Sequence, residues 1–421
     1  MKLLDFISLG VNEEKNKVTF DAPAIVLSHG SGGLGATRSL ARRGITVTAI
    51  AFDASDLVLY SRYPAKTYLA SGSHDEKEAQ ILKILDDLPD QGAAILTDSD
   101  RLIALMSRCQ KDLSKKYRYR LPPREILDAL NDKKQETRLI TSLGFDVPKT
   151  VQDLPPRPED LERQLRFPII FKPYLYVAEK DFPKKNEVIR TRESLAEFYR
   201  QWQKVLPLLL AQEVIPGPDS YSWICSCTFD RNHELLDCGI KQKLRAYPAH
   251  FGGSTYAVSR TNAEILQLTK SLGRKLEYVG HAGIEFRWDD RDARYKYLEI
   301  NPRLPANVGF DEACGLPTVW NSYKVSLDGV AAHSGVKQKN GIYFLDLKKD
   351  LMSLRADRTP ISRVPTSYLK LFFKPTNGMY FAWDDPKPAA VLAIRLAITV
   401  FRRVIGKIEM KLFSSARAIE S

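Results

Sequence analysis

Glu285, Glu299 and Asn301, with Arg303 close behind, are the residues of this chain whose types and spacing point most directly to chemistry. Two carboxylates and an amide oxygen make a hard oxygen donor set of the kind magnesium prefers, with phosphate oxygens completing its shell. Arg303 is placed to hold an anion beside such an ion, because a guanidinium grips phosphate or carboxylate through paired hydrogen bonds. The run GHAGIEFRWDDRDARYKYLEINPR, residues 280–303, holds two strand-like segments, AGIEFRW and YKYLEIN, around the charged turn DDRDAR, and so reads as a β-hairpin. Residues two apart share one face of a strand, which sets Glu299 beside Asn301. A register symmetric about the turn sets Glu285 opposite them. A plain hairpin with a wet polar face shows the same alternation. This one differs in packing two ligand types and a cation into the five residues from Glu299 to Arg303.

Other charged or polar residues interrupt apolar strands upstream. Lys172 ends the run FPIIFKP, where a lysine can hold a phosphate as a point charge. Gln212 and Glu213 break the run LLLAQEVI, which continues through Val214 and Ile215 to Pro216-Gly217-Pro218-Asp219. Buried polar groups need partners, and an adenine edge is one such partner. Lys241, Lys243 and Arg245 alternate in a third strand, so all three are expected to project from one face as a focused anion site. A solvated strand edge is the competing reading of that triplet. Lys133 and Lys134 fall in the middle of PPREILDALNDKKQETRLITSLG, 122–144, which reads as one helix with a glycine stop.

The elements that must position these residues follow a simple plan. The run AIVLS at 24–28 leads into a glycine turn, a helix and the strand TVTAIAFD, and alternating strands and helices continue to about residue 120. Gly30, Gly32 and Gly35 fit Gly-x-Gly-x-x-Gly, and Asp53 stands where a ribose-binding acid would, so a dinucleotide-dependent oxidoreductase is a rival reading. Asp98-Ser99-Asp100 reads first as a helix N-cap. The proline-rich PKTVQDLPPRPEDL, 148–161, reads as a link between domains.

Composition sets the limits. A chain of 421 residues has room for two or three domains, and 44% hydrophobic with 27% charged residues is an ordinary globular balance. The net charge of +12 suggests anionic partners, but no segment before the C-terminus concentrates it, which argues against nucleic acid. Five cysteines without a Cys-x-x-Cys pair indicate neither a disulfide framework nor a zinc site, so reduced thiols and a cytoplasmic location are expected. A spanning helix is not expected. Near the end, Val391, Ile394, Ile398, Phe401, Ile405, Ile408 and Leu412 step by threes and fours through an amphipathic helix expected at about 387–413. Arg395, Arg402, Arg403, Lys407 and Lys411 decorate its other sides. Docking on its own domain, peripheral contact with the inner face of an anionic membrane, and a homodimer contact are the alternatives for it.

Taken in order, Lys133, Lys172, the Gln212-to-Asp219 segment, the Lys241-to-Arg245 cluster, Glu285 and Glu299-Ile-Asn-Pro-Arg303 resemble the ATP-grasp superfamily. The nearest likeness is its group of predicted carboxylate-amine ligases, and it spans roughly residues 22–330. It implies an α/β and α+β chain: a Rossmann-like pre-ATP-grasp domain at 1–120 that binds no dinucleotide, and a two-subdomain ATP-grasp domain at 121–330. The small subdomain would cover about 150–215, the large one about 216–330, and a C-terminal helical extension 331–421. It further implies ATP, carboxylate and amine as substrates and a C–N bond made through an acyl phosphate. Lys133 and Lys172 would contact the nucleotide phosphates, Gln212, Glu213, Val214 and Ile215 the adenine, and Asp219 the ribose. Glu285, Glu299 and Asn301 would hold two magnesium ions, manganese being an alternative. Arg303, Lys241, Lys243 and Arg245 would stabilise the transferred phosphoryl group, and Gly252, Gly253 and Ser254 would form part of the acceptor site. One departure stands out. The family's phosphate-covering loop is usually rich in glycine, yet none occurs between Gly144 and Gly217. The corresponding segment, 176–188, carries Lys180, Lys184 and Lys185 instead, which leaves a catalytically weak nucleotide-binding docking module as a further reading.

Overall fold

Short runs with every residue buried build three of the four strands of the first sheet, as expected where both faces of a parallel sheet are covered, and the fourth is an exposed edge. Ala24–Ser28 (β1), Val47–Ala51 (β2), Lys66–Leu69 (β3) and Ala94–Thr97 (β4) lie parallel in the order β3-β2-β1-β4. The computed structural model describes residues 21–89, 91–175, 182, 186–328, 335–358, 368–369, 374, 376–399 and 401–402.

The glycine turn after β1 is a packing device. A Cβ on Gly32 would come within 2.6 Å of Asp98 Cβ and 2.9 Å of the Pro305 carbonyl, and one on Gly35 within 2.9 Å of Val308. Their absence lets the helix Ser31–Ala41 press against the segment that follows Arg303. The amides of His29 and Gly33 donate to the two oxygens of Asp98 at 2.7 and 2.8 Å. A carboxylate of the same domain thus takes donors that a dinucleotide pyrophosphate would need. Asp53 is paired with Lys77 at 3.1 Å. The dinucleotide reading has no free cradle here. The segment does cap a helix, Ser99 standing at the N-cap position of Asp100–Arg108 without a side-chain cap bond, while Asp98 is a partner of the turn.

Two other expectations change. The helix expected over 122–144 is two helices, Arg124–Asn131 and Lys133–Ser142, broken at Asp132. Asp132 is extended and its side chain accepts from the amides of Lys134 and Gln135, an N-cap that stops one helix and starts the next. Lys133 therefore opens a helix, with its own amide bonded to the Tyr174 carbonyl. The proline-rich 148–161 contains Thr150–Val151 (β5) and a short helix, Pro158–Glu162, because Thr150 pairs with Gln212 and adds an edge to the second sheet.

That second sheet is antiparallel, with Ile169–Pro173 (β6), Glu187–Ile189 (β7) and Leu209–Glu213 (β8) in the order β5-β8-β6-β7. The third has seven strands. Ser222–Phe229 (β9), Leu235–Tyr247 (β10), Gly253–Ser259 (β11), Gly280–Asp289 (β12), Arg294–Asn301 (β13), Tyr343–Leu345 (β14) and Thr376–Gly378 (β15) run β13-β12-β9-β10-β11-β14-β15. Ile284, Phe286 and Ile300 alternate with Glu285 and Glu299, and enter a core with Cys225, Phe229, Ile140, Ile265 and Leu272. Each fully buried aliphatic or phenyl side chain of this kind contributes about 1.5–3 kcal/mol.

The segment expected as a helical extension supplies the last two strands and then a clasp. Asp385, 1% exposed, accepts from Arg38 Nε at 2.9 Å, Ser61 Oγ at 2.7 Å and the Arg62 amide at 3.0 Å, while Asp384 takes Arg42 in two hydrogen bonds. The clasp joins the first sheet's domain to the third sheet. Asp385→Ala strands a guanidinium that is itself only 7% exposed, and is expected to cost about 3–5 kcal/mol in urea unfolding, with Asp385→Asn in between.

Candidate active site

The hairpin has the register that sets its acidic residues together. Glu285 pairs directly with Glu299, and Gly283 with Asn301, before a bulge shifts the register at Phe286. Gly283 leaves the position beside Glu285 without a side chain. Glu299 lies between two partners: Asn301 Nδ2 donates to it at 3.2 Å and Lys133 Nζ stands 3.9 Å away. Asn301 Oδ1 is 3.4 Å from an Arg303 nitrogen, and Arg303 Nε is held by Asp100 at 2.9 Å. On the other side Lys243 Nζ reaches Glu285 at 3.1 Å and the Gly252 carbonyl at 3.1 Å. Lys243, Glu285, Glu299, Lys133, Asn301 and Arg303 thus form one connected polar array at the third sheet, with two facing carboxylates flanked by cations.

Glu136 completes that array and escaped the sequence reading. It is buried, and accepts from Lys133 Nζ at 2.9 Å, Tyr297 hydroxyl at 2.6 Å and the Ile300 amide at 3.3 Å. Its only sequence signal is the three-residue step from Lys133. Burial disfavours the Lys133 charge, but Glu136 and Glu299 outweigh it, so the ammonium's pKa lies above its ordinary value. Lys133 stays a cation at any physiological pH.

The second sheet carries the other residues singled out in the sequence. Lys172 Nζ donates to Gln212 Oε1 at 3.0 Å, and Gln212 Nε2 to Thr150 at 2.9 Å. Glu213 faces the other way, as strand alternation requires, and binds Arg291 at 2.8 Å and the Arg166 amide at 3.0 Å. The Val214 amide donates to the Pro168 carbonyl and the Ile215 carbonyl accepts from Arg287, so neither backbone group is idle. Asp219 is almost buried; it accepts from His250 Nδ1 at 2.8 Å and from the Ala246 amide at 3.1 Å.

The basic triplet does not act as a unit. Lys241, 1% exposed, is paired with fully buried Asp311 at 2.7 Å. Arg245 is turned aside by a bulge between it and Lys243, and grips buried Asp350 with two hydrogen bonds of 2.8 and 2.6 Å. Of the three, Lys243 alone joins the hairpin array among the described contacts. Gly252 is needed for space, since a Cβ there would overlap the Tyr247–Pro248 backbone; Gly253 is open and Ser254 Oγ turns to the Tyr256 carbonyl. Behind the array lies His281, whose pKa is pushed down to about 3 by burial and by the positive charges of Lys241 and Arg303. It is a neutral ring between Ser226 and Ser322. A cavity of about 400 Å³ opens beside the segment after Arg303, lined by Ser31, Arg38, Asn307, Asn377 and Trp383. It holds none of the hairpin acids. Lys180, Lys184 and Lys185 lie outside the described residues, while Glu187 and Val188, at the end of the same segment, belong to β7.

The donor set fits a hard divalent ion. Among the described residues no three His, Cys, Asp or Glu side chains are arranged to hold a metal, so an ion between Glu285 and Glu299 would complete its shell from Asn301, phosphate oxygens and water.

No known family profile matches the chain. It is 30% identical over 169 residues to D-aspartate ligase of Enterococcus faecium, which covers 37% of this chain and 39% of that protein. The chain therefore spans about two-fifths of that relative. Among solved structures, the L-amino acid ligase of Bacillus licheniformis superposes over 75% of this chain and 76% of its own, with a TM-score of 0.56 at 14% identity. The biotin carboxylase domain of the Hydrogenobacter thermophilus 2-oxoglutarate carboxylase, a complex with MgADP and bicarbonate, gives 0.59 at 13% identity over 76% and 73% of the two chains. The three sheets and these neighbours agree: over about three-quarters of its length the chain has the ATP-grasp fold.

Proposed function

We propose that this chain is an ATP-dependent ligase that joins a carboxylate to an amine. The direct pairing of Glu285 with Glu299 carries the reading, because it puts two carboxylates, flanked by Lys133 and Lys243, on the face where ATP phosphates would need charge neutralised. Magnesium, when bound by Glu285, Glu299 and Asn301, would offset the charge of the nucleotide phosphates. Lys133 and Lys172 would hold phosphate oxygens, Gln212, the Val214 carbonyl and the Ile215 amide would meet adenine, and Asp219 would exchange His250 for the ribose hydroxyls.

The reaction follows from the weakness of a carboxylate as an electrophile. A carboxylate oxygen attacks the γ-phosphorus and ADP leaves, giving an acyl phosphate. The amine nitrogen then attacks the acyl carbon, phosphate departs, and the nitrogen loses a proton to give the amide. Arg303 and Lys243 would stabilise the transferred phosphoryl group. The relatives named D-aspartate ligase and L-amino acid ligase make amino acids the first substrates to try.

The test is incubation of the purified protein with magnesium, ATP and pooled carboxylates and amines, following phosphate release and the mass of a condensed product. Stoichiometric ADP, phosphate and amide are expected. ATP binding without turnover on any pool would assign the chain to nucleotide-dependent docking, and a response to NAD but not ATP would sink the ligase reading. Lys172→Ala is expected to raise KM for ATP about tenfold with a smaller change in kcat, the loss of one charged hydrogen bond in the bound state.

A further inference from the structure

The last described helix, 387–399 with 401–402, is apolar on two sides: Pro388 is buried and Val391, Leu392 and Leu396 are half-buried, while a second apolar stripe faces outward. Its charged Arg395 points inward, donating to the carbonyls of Ser55 at 2.7 Å and Ala54 at 3.3 Å and to the Tyr60 hydroxyl at 3.0 Å, with the guanidinium 5.1 Å from the Tyr60 ring centre. In the outward stripe Ile394, Ile398 and Phe401, spaced by four and three, are 60%, 47% and 66% exposed. Just before it, Trp383 is 90% and Phe381 46% exposed, their rings 4.8 Å apart. The Asp384 and Asp385 clasp fixes the start of the helix, so this orientation is held from two sides.

We propose that this face is a docking surface for an anionic phospholipid bilayer. Residues 386–402 contain Lys387, Arg395 and Arg402 and no acidic residue, and Lys387 and Arg402 are exposed beside the apolar stripe. An apolar stripe edged by cations is the pattern of a helix that lies in the plane of a lipid interface, its side chains entering the acyl boundary while lysine and arginine meet headgroup phosphates. Exposed tryptophan and phenylalanine at the rim suit the same boundary. A second copy is the weaker occupant, because a two-fold contact would set like charges against like charges. No described helix is long and apolar enough to cross a membrane, which is consistent with a helix lying on the surface.

The test uses the full chain in flotation with vesicles of phosphatidylcholine alone and of phosphatidylcholine with phosphatidylglycerol. Binding to the phosphatidylglycerol vesicles, weakened by salt and absent on the neutral ones, is expected. The triple variant Ile394→Glu, Ile398→Glu, Phe401→Glu should lower partitioning at least about tenfold. Lys387→Gln with Arg402→Gln should lower it severalfold, with far-ultraviolet circular dichroism and thermal midpoint unchanged in both variants. No flotation of the native chain, equal binding to neutral vesicles, or partitioning unaffected by the substitutions overturns the proposal. So does a dimer that the triple variant dissolves without any flotation. ATP turnover is not the readout, so this proposal and the ligase reading fail independently.

Discussion

Glu299→Gln is expected to lower magnesium-dependent ATP turnover at least about a hundredfold while the thermal midpoint moves by no more than about 2 °C. The substitution keeps shape and the hydrogen bond from Asn301, since an amide oxygen accepts where the carboxylate oxygen did. What it removes is one of two negative charges facing each other across the hairpin, and with it the attraction for a divalent ion. The fold should not suffer, because the Glu299 side chain is 40% exposed. A steady-state assay with a magnesium titration beside a thermal melt separates the two effects. Activity retained at saturating magnesium would remove this hairpin from the chemistry.

Glu136→Ala is expected to do the reverse, damaging stability first. Three donors converge on a carboxylate with a 3% exposed side chain, and its loss leaves the Tyr297 hydroxyl and the Ile300 amide buried without an acceptor and Lys133 without its nearest counter-charge. A cost of about 3–5 kcal/mol is expected in urea unfolding. Glu136→Gln keeps an acceptor for the tyrosine and the amide and should lose about half as much. It should still raise KM for ATP, because Lys133 is no longer held beside Glu299. Equal stability of the two variants would show that the carboxylate does not anchor β13.

The contrast between these two glutamates shows what could be read from sequence. The hairpin was legible because strand alternation is local: Glu299, Asn301 and Arg303 declare a shared edge within five residues, and a charged turn fixes the partner strand. Glu136 was not, because a glutamate three residues after a lysine looks like any solvated helix face until β13 is folded over it. Lys241 and Arg245 pair away from the hairpin for a related reason. Their partners, Asp311 and Asp350, lie far along the chain on helices that cover the sheet, and the bulge after Lys243 that rotates Arg245 has no mark in the sequence. The glycine turn was ambiguous on spacing alone. Its close contacts with Asp98 and Pro305 decide its purpose. The break at Asp132 carried a readable cap, but the apolar pattern continued across it and hid the boundary.

The central proposal, that the hairpin and Lys172 bind magnesium-ATP, is tested most directly by calorimetric titration of the native chain with a non-hydrolysable ATP analogue, with magnesium and with chelator. Binding in magnesium that weakens at least about tenfold in chelator, and no heat with NAD, is the predicted result. Nucleotide affinity indifferent to magnesium, or binding of NAD in place of the ATP analogue, would contradict it.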